Sequence, residues 1–532
     1  MKVQALKSRR LALAFLVIGT VSLVSLVVFA AAGGAANKDL GVPGSKLVPA
    51  IDVTKNGKGV SSKAIKIVFN FPIKNCDNGT AGIAPAQEDV ATVLTKWVNE
   101  NIPLPGGRKL QLEPFVNDGG SDVGCAAFAR AAGLKTAKQV GAFADIGNST
   151  NRDGNSVYAQ TVTANGTVDI AQAASFQLTK DFTDRWPYAW GIQPAGDASF
   201  QPLAWFIGKR VKGTQYVADN GTKSARKWGL ISFDGSIGNG VAASAKKYLQ
   251  SVGITPKIYS VSTDPTTMAQ QVTSLAASIK SAGINSIVYA INDATTDEDI
   301  ANAFNSQNLF PDWYVSDYSL LVKLAVYAAP LFPKQNLRLH GTSLPDITSA
   351  RIDVNPNGSN GKSASLQDNS WRIAATTAYK QAGGTSSNPQ NGSDLQGLWD
   401  AISTLTIGIE NAGKTLNAFT FANGLTKATS CQKQQFFGQD QLQSPVPEFS
   451  KTQPWVLHGF TTYYWQDQRQ SVWSPSTGGY LDSYDGYELF LTQKSLPAKP
   501  IWDTGAHDGA YPYNAQTQGR FTINMKCPVP KS

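Results

Sequence analysis

Histidine, cysteine and methionine are scarce in this chain of 532 residues, at three, four and three copies. Zinc centres and nucleophilic triads draw on histidine or paired cysteine, so the shortage narrows the available chemistry. No two of Cys76, Cys125, Cys431 and Cys527 stand at C-x-x-C spacing, and no histidine lies close to any of them. The patterns H-E-x-x-H and D-x-D-x-D-G are absent, so no metal site is expected. A serine hydrolase of the nucleophile-elbow kind needs G-x-S-x-G, which is also missing. His458 falls inside an expected strand and reads as structural. Charged residues make up only 16% of the chain, and no run of five Lys or Arg occurs. The nominal charge of +9 is concentrated at the start: Lys2, Lys7, Arg9 and Arg10 lie there, and residues 1–36 hold no Asp or Glu. The remainder is only mildly basic, which is no nucleic-acid footprint. A single apolar stretch is long enough to span a bilayer, which excludes a polytopic membrane protein.

Hydrophobic residues reach 42%, enough for sizeable cores, and the length predicts two to four domains. The four basic residues lead into residues 11–32, an uncharged apolar run of about 22 residues, long enough to cross a bilayer once. A cleaved signal over residues 1–36 and an uncleaved signal-anchor both fit. Either one places the rest of the chain outside the cytoplasm. No cysteine lies near the cleavage region, so a lipid anchor is excluded. Residues 37–63 are rich in Gly, Pro, Ser, Asn and Lys and are expected to form a flexible stalk. In an exported chain an even cysteine count suggests disulfides, with four buried free thiols as the competing reading. Of the three possible pairings, Cys76–Cys125 and Cys431–Cys527 close the shorter loops and are expected.

From residue 64 onward strands and helices alternate. Strands are predicted at 65–71, 110–116, 139–146 and 168–171, with helices near 86–102, 125–134 and 155–164. The order repeats after Pro194, with helices at 201–212, 240–252, 266–282 and 296–306 and strands at 228–233, 257–261, 286–291 and 313–316. This βαβα order predicts doubly wound parallel sheets, and its repetition predicts two α/β lobes. Residues 338–344 are expected to form a strand returning to the first lobe. Helices follow near 370–382 and 395–412, then one long alternating strand over 455–466. An aromatic-rich tail follows and reads as irregular structure.

Two phosphate-binding look-alikes are set aside. Gly361-Lys362-Ser363 ends like a P-loop, but Pro356 stands where the first glycine belongs. Gly238-Asn239-Gly240-Val241-Ala242-Ala243 resembles a dinucleotide loop, yet Asp234 to Ile237 separate it from the preceding strand. A helix N-terminus facing a cleft is the plainer reading, and no cofactor is expected. The Trp and Tyr content suits sugar stacking but is accounted for by packing of cores and tail.

Several segments, taken in order, resemble the branched-chain amino-acid-binding family of type I periplasmic-binding proteins, the substrate-binding proteins of ABC transporters. They are the loop from residue 71 to Gly82, Asn117-Asp118 before Cys125, Asp169 to Ser175, Pro194-Ala195-Gly196-Asp197 with Gln201, Gly238-Asn239-Gly240, and Trp399-Asp400-Ala401 with Ala412-Gly413. The resemblance spans residues 64–465. It implies two α/β lobes joined by three hinge crossovers, with a ligand cleft between them. The implied division is 64–194 with 339–460 for lobe 1, 195–338 with 461–490 for lobe 2, and 491–532 as a tail. The resemblance further implies that Ser149, Thr150, Ala173, Ala174 and Ser175 hold a ligand carboxylate through hydroxyl and backbone N–H donors. By the same resemblance Asp317 meets the ligand ammonium, with Asp197, Ile237 and Asn292 completing the cleft. The family's tyrosines at two of these places are Ile237 and Asn292 here, which opens the pocket to a larger, less polar or amide-type ligand. The expected function is that of a monomeric, non-enzymatic extracellular solute-binding protein delivering a small molecule to an ABC permease. A membrane-anchored sensor of the same fold and a secreted hydrolase are the alternatives.

Overall fold

The computed structural model describes residues 41–42, 47–72, 84–117, 126–147, 152–171, 177–292, 294–319, 338–343, 370–385, 395–437, 446–455, 457–458, 461–466 and 480–483, with isolated positions at 335, 493, 494, 496, 498, 499 and 527. The first sheet takes β1 (Ala64–Pro72), β2 (Lys109–Asn117), β3 (Ala144–Gly147), β4 (Val168–Ala171) and β5 (Ala189–Gly191) in the order β2-β1-β3-β4-β5. Every neighbouring pair is parallel. Helices α1 (Ala84–Asn101), α2 (Ala126–Leu134) and α3 (Arg152–Ala164) connect the strands. A parallel strand is covered on both faces and needs no polar side. In agreement, all four residues of β4 are buried.

After α4 (Phe200–Phe206), the second sheet begins with β6 (Trp228–Phe233). Helix α5 (Gly235–Ser251), β7 (Lys257–Val261), α6 (Pro265–Ser281), β8 (Ser286–Ala290), α7 (Ala294–Ser306) and β9 (Asp312–Val315) follow. Helix α6 starts where Pro265 presets the backbone and Asp264 Oδ1 accepts from Thr267 N at 2.8 Å. Strand β10 (Leu339–Ser343) pairs in parallel with β9, so it belongs to the second sheet and not to the first lobe as expected. Trp313 N donates to Arg338 O at 2.8 Å, and His340 stacks on Tyr314 with ring centroids 5.5 Å apart. Beyond β10 the sheet turns antiparallel through β11 (Thr461–Gln466) and β12 (Tyr480–Ser483), giving the order β7-β6-β8-β9-β10-β11-β12.

Three crossovers link the sheets. The first follows Gly191, the second lies between Ser343 and α8 (Ser370–Gln381), and the third runs from Trp455 to Thr461. The single strand expected over 455–466 is therefore divided. Trp455 bridges Gly191 at the edge of the first sheet, while β11 belongs to the second. One apolar alternation serves two sheets, and periodicity alone cannot see the division.

Helix α9 (Leu395–Ala412) is buried along residues 395–410, including Gln396, Asp400 and Thr404. It lies within the first lobe among α1, α8, α10 (Ala418–Thr426) and α11 (Ser430–Phe437), and it reaches β3 and β4. Trp97 of α1 meets Trp399 edge-on with centroids 5.3 Å apart, and Trp399 Nε1 donates to Phe436 O at 2.8 Å. A disulfide joins Cys431 of α11 to Cys527, with the Cα atoms 5.5 Å apart, as expected. Cys76 and Cys125 lie outside the described residues, as do residues 1–40 with the expected signal. No helix of the described residues is long and apolar enough to cross a membrane.

The second half of the expected stalk is packed rather than free. Val48 and Ile51 enter the first lobe's core, and Gly57 N donates to Leu416 O at 2.7 Å. Asn56 Oδ1 accepts from Leu416 N at 2.9 Å. Gly59, at φ +73°, sits so close to the chain that a Cβ would stand 2.4 Å from Phe143 N. A polar segment docks here because it satisfies backbone groups ahead of α10, a role that composition does not reveal.

Candidate ligand cleft

In open α/β sheets the carboxyl ends of the strands form the ligand-binding rim. On the second sheet that rim follows directly from the register. Trp228 pairs with Ser286, Ser286 with Asp312, and Gly229 with Lys257. Carrying those registers past the strand ends aligns Ser262, Asp234, Asn292 and the Asp317-Tyr318 turn across one edge. Asp234 is exposed, and its Oδ1 accepts from Thr263 N at 3.2 Å. Asn292 is only 8% exposed. Its side chain makes no hydrogen bond with the described residues, and its amide atoms are not sealed from solvent. This makes it the polar group of the rim best placed to receive a ligand.

Asp317 opens a short helical turn, Asp317–Ser319, and is half-buried. The turn is held from below: Ser319 Oγ donates to Tyr289 O at 2.8 Å, and the Tyr289 hydroxyl donates to Asp297. Ser316 Oγ lies 3.1 Å from Ser199 Oγ, tying the end of β9 to the first crossover. Ile237 is half-buried and packs on the cluster formed by α4, α5 and the second sheet. Its side chain thus serves the second lobe's core as well as the rim.

Asp197 works within the hinge. Its Oδ1 accepts from Thr179 N at 2.7 Å and Thr179 Oγ1 at 2.9 Å, and its Oδ2 accepts from Ser244 Oγ at 3.2 Å. Thr179 begins a short helix of the first lobe, Thr179–Thr183, while Ser244 lies on α5 of the second. Both carboxylate oxygens are thus engaged in bracketing the lobes. The Gly238-Asn239-Gly240 motif has a related structural use. A Cβ on Gly238 would stand 2.2 Å from Phe233 O, and one on Gly240 would stand 2.5 Å from Leu178 Cδ1. The first glycine lets α5 approach its own strand, and the second admits a side chain from the first lobe.

Ser149, Thr150, Ala173, Ala174 and Ser175 lie outside the described residues. The rim of the second lobe can therefore be built from the described residues, and the facing loops of the first cannot.

A different polar group in the first lobe was not anticipated from the sequence. Asp145 and Asp169 sit opposite each other on β3 and β4, and both are buried. Burial raises Asp145 well above the ordinary carboxylate range, and the neighbouring Asp169 adds to the effect. Burial also lifts Asp169 to about 7, with Arg185 pulling the other way. The available signal was a charged residue inside each of two predicted parallel strands, where such residues are rare.

No family model and no curated protein matches the chain. Solved structures do match. A solute-binding protein of an ABC transporter from R. palustris, in complex with 4-hydroxybenzoate, is 11% identical at a TM-score of 0.51, covering 79% of this chain and 97% of that one. A fatty acid ABC transporter substrate-binding protein from Thermomonospora curvata is 14% identical at a TM-score of 0.50, covering 84% and 98%. A branched-chain amino acid ABC transporter protein from Thermus thermophilus with bound valine is 12% identical at a TM-score of 0.50, covering 79% and 97%. Two α/β lobes, each built on parallel strands, and three crossovers, matched over nearly the full length of each of these structures, give this chain the type I periplasmic-binding fold.

Proposed function

We propose that this chain is an extracellular solute-binding protein that holds a small amino-acid-like or amide-type ligand between its two lobes and presents it to an ABC permease. The observation that carries this reading is the Asn292 amide, which is at the carboxyl edge of the second sheet, unpartnered by the described residues and open to solvent. An amide there offers both a donor and an acceptor to an uncharged polar group. Asp317, at the end of the neighbouring strand β9, supplies the acidic group for a ligand ammonium. The family resemblance assigns the ligand carboxylate to Ser149, Thr150 and Ser175. Similar structures are solved with valine or with 4-hydroxybenzoate, so ligand class varies within one fold. The protein acts as a monomer without turnover, and export places it outside the cytoplasmic membrane.

A thermal-shift panel of amino acids, small amides, aromatic acids, fatty acids, sugars and nucleosides tests the reading. A ligand at 100 times its Kd adds about 2.7 kcal/mol to the native state, a readable shift. Asn292→Ala is expected to weaken an amide or amino-acid hit by about 1–3 kcal/mol. Asp317→Ala is expected to cost an ammonium ligand about 2–5 kcal/mol. A hit among fatty or aromatic acids that ignores both substitutions would overturn the ligand class and leave the binding role standing. The apolar run at residues 11–32 favours a second reading, a membrane-anchored sensor of the same fold. Mass spectrometry of the native N-terminus separates the two: a start near residue 33 or 37 means release, and a retained Met1 or residue 2 means an anchor.

A further inference from the structure

The first sheet carries buried polar side chains on the face opposite the large core. Ala144, Ile146, Val168 and Ile170 join the large core on one side of the sheet. The alternating positions, Asp145 and Asp169, therefore point to the other side. That side also holds Val68 and, from α3, Tyr158 and Val162, with Ala129 and Ala132 of α2 above. Asn70 shares the parity of Val68, the register partner of Asp145, and stands opposite Gly147, which has no side chain to block it. Asn70 is fully buried, and neither its Oδ1 nor its Nδ2 has a partner. Neither oxygen of Asp145 accepts a well-formed hydrogen bond, and Asp169 Oδ2 is equally unmatched. The Tyr158 hydroxyl, 2.9 Å from Thr136 Oγ1, flanks the pair and eases part of the burial of Asp145.

Buried polar groups are almost always satisfied, and several unmatched atoms on one patch call for a missing partner. The nearest cation does not fill that role. Arg185 acts on Asp169 but donates to Asp181 O at 2.7 Å and Asp181 Oδ1 at 3.3 Å. Two adjacent buried carboxylates without a dedicated counter-charge are unstable as a bare pair. The unmatched acceptors are all oxygens: two from Asp145, one from Asp169 and the amide oxygen of Asn70. Oxygen-only donor sets select hard cations such as Ca²⁺, Mg²⁺ or Na⁺ over zinc or copper.

We propose that Asp145, Asp169 and Asn70 form a structural site for a hard cation beneath α2 and α3, separate from the ligand cleft. The site joins β1, β3 and β4, whose carboxyl ends lead into the first lobe's half of the cleft. A bound cation replaces the protons that the pair otherwise retains, and it holds the three strands in register.

The test uses the purified full chain, treated with chelator and exchanged into choline chloride at pH 7.5. Thermal unfolding is then followed with added Ca²⁺, Mg²⁺ or Na⁺, and bound metal is counted by elemental analysis after dialysis. One cation should raise Tm by several degrees and remain at about one per chain. Asp145→Asn should abolish that response, and Asn70→Leu should weaken the cation by about tenfold or more. If Asp145→Asn fails to fold, Asn70→Leu carries the test alone, because it removes a ligand without changing charge. Absence of bound cation would overturn the proposal. So would a Tm that falls between pH 5 and 8 by the same amount with and without cations, because the pair would then be holding protons only.

Discussion

Asp169 illustrates how one residue can set the pH response of a lobe. Its carboxyl is raised from 3.8 to about 7 by burial. The folded state therefore holds a proton that the unfolded chain releases above pH 4. That contribution is complete below the unfolded pKa and is lost as pH climbs toward 7. The shift corresponds to about 4 kcal/mol across that window. Asp145, raised further, adds to the loss in the same direction. His340 works in the opposite sense. Burial lowers it to about 4, so its cost to the fold grows as pH falls from 6.5. In cation-free buffer, denaturant unfolding should show stability declining from pH 5 to 7, and Asp169→Asn should flatten that decline. An unchanged slope would mean that Asp169 is ionised in the folded protein. At the same scale, Gly238→Ala should destabilise by about 1–3 kcal/mol, because its Cβ meets the rigid Phe233 carbonyl. Individual residues were unevenly legible in the sequence. Asn292 was singled out by the family resemblance, and the strand expected before it is present as β8. The hinge role of Asp197 could not, because its partners Thr179 and Ser244 lie 18 and 47 positions away.

Elements were read best where one period governs one environment. Helix α9 is an example: its apolar repeat fixes residues 395–412, yet the pattern does not reveal that the helix is buried on every side. That depends on α11, whose Phe436 and Phe437 cover it and whose Phe436 carbonyl accepts from Trp399. Trp399→Ala should cost about 3–5 kcal/mol in chemical denaturation, the range for a large aromatic removed from a packed core. A cost under 1 kcal/mol would mean that this layer is loosely packed. Strand β10 was assigned to the wrong sheet because short apolar strands carry no address. Its address comes from charge at the opposite end of the sheet from the cleft. Asp312 Oδ2 accepts from Arg226 at 2.7 Å, and Asp312 Oδ1 accepts from Arg338 at 3.0 Å. Arg226 also donates to Ser286 Oγ at 2.9 Å, so β8, β9 and the approach to β10 are fastened together. Asp312→Ala removes the carboxylate shared by Arg226 and Arg338, while Arg338 keeps Asp219, and a loss of about 1.5–3 kcal/mol is expected.

For the whole molecule, the βαβα repeat made the two-lobe architecture legible, whereas the contacts governing lobe motion are tertiary and left no local pattern. The hinge concentrates them. Ala195 and Ala198 of the first crossover pack with Trp455 of the third against Ala171, Phe182 and Ala189 of the first lobe. Above that cluster, Asp197 binds Thr179 on one side and Ser244 on the other, while Leu178 sits in the notch left by Gly240. These contacts span the lobes without entering the rim formed by Asp234, Asn292 and Asp317. A lost hinge bond should therefore change how readily the lobes close, and leave the ligand contacts intact. Ser244→Ala removes only the bond to the second lobe, because Thr179 still satisfies Asp197 Oδ1. A hydrogen bond to a charged group contributes about 1.5–3 kcal/mol. Its removal should shift the open–closed balance and the apparent ligand affinity by about tenfold or more. Small-angle scattering with and without ligand reads the first effect, and calorimetry with the panel's best ligand reads the second. If Ser244→Ala changes neither the unliganded dimensions nor the affinity, Asp197 only fastens the crossover to the first lobe. If affinity changes while the liganded dimensions stay the same, the bond governs the population of the closed form and not its shape.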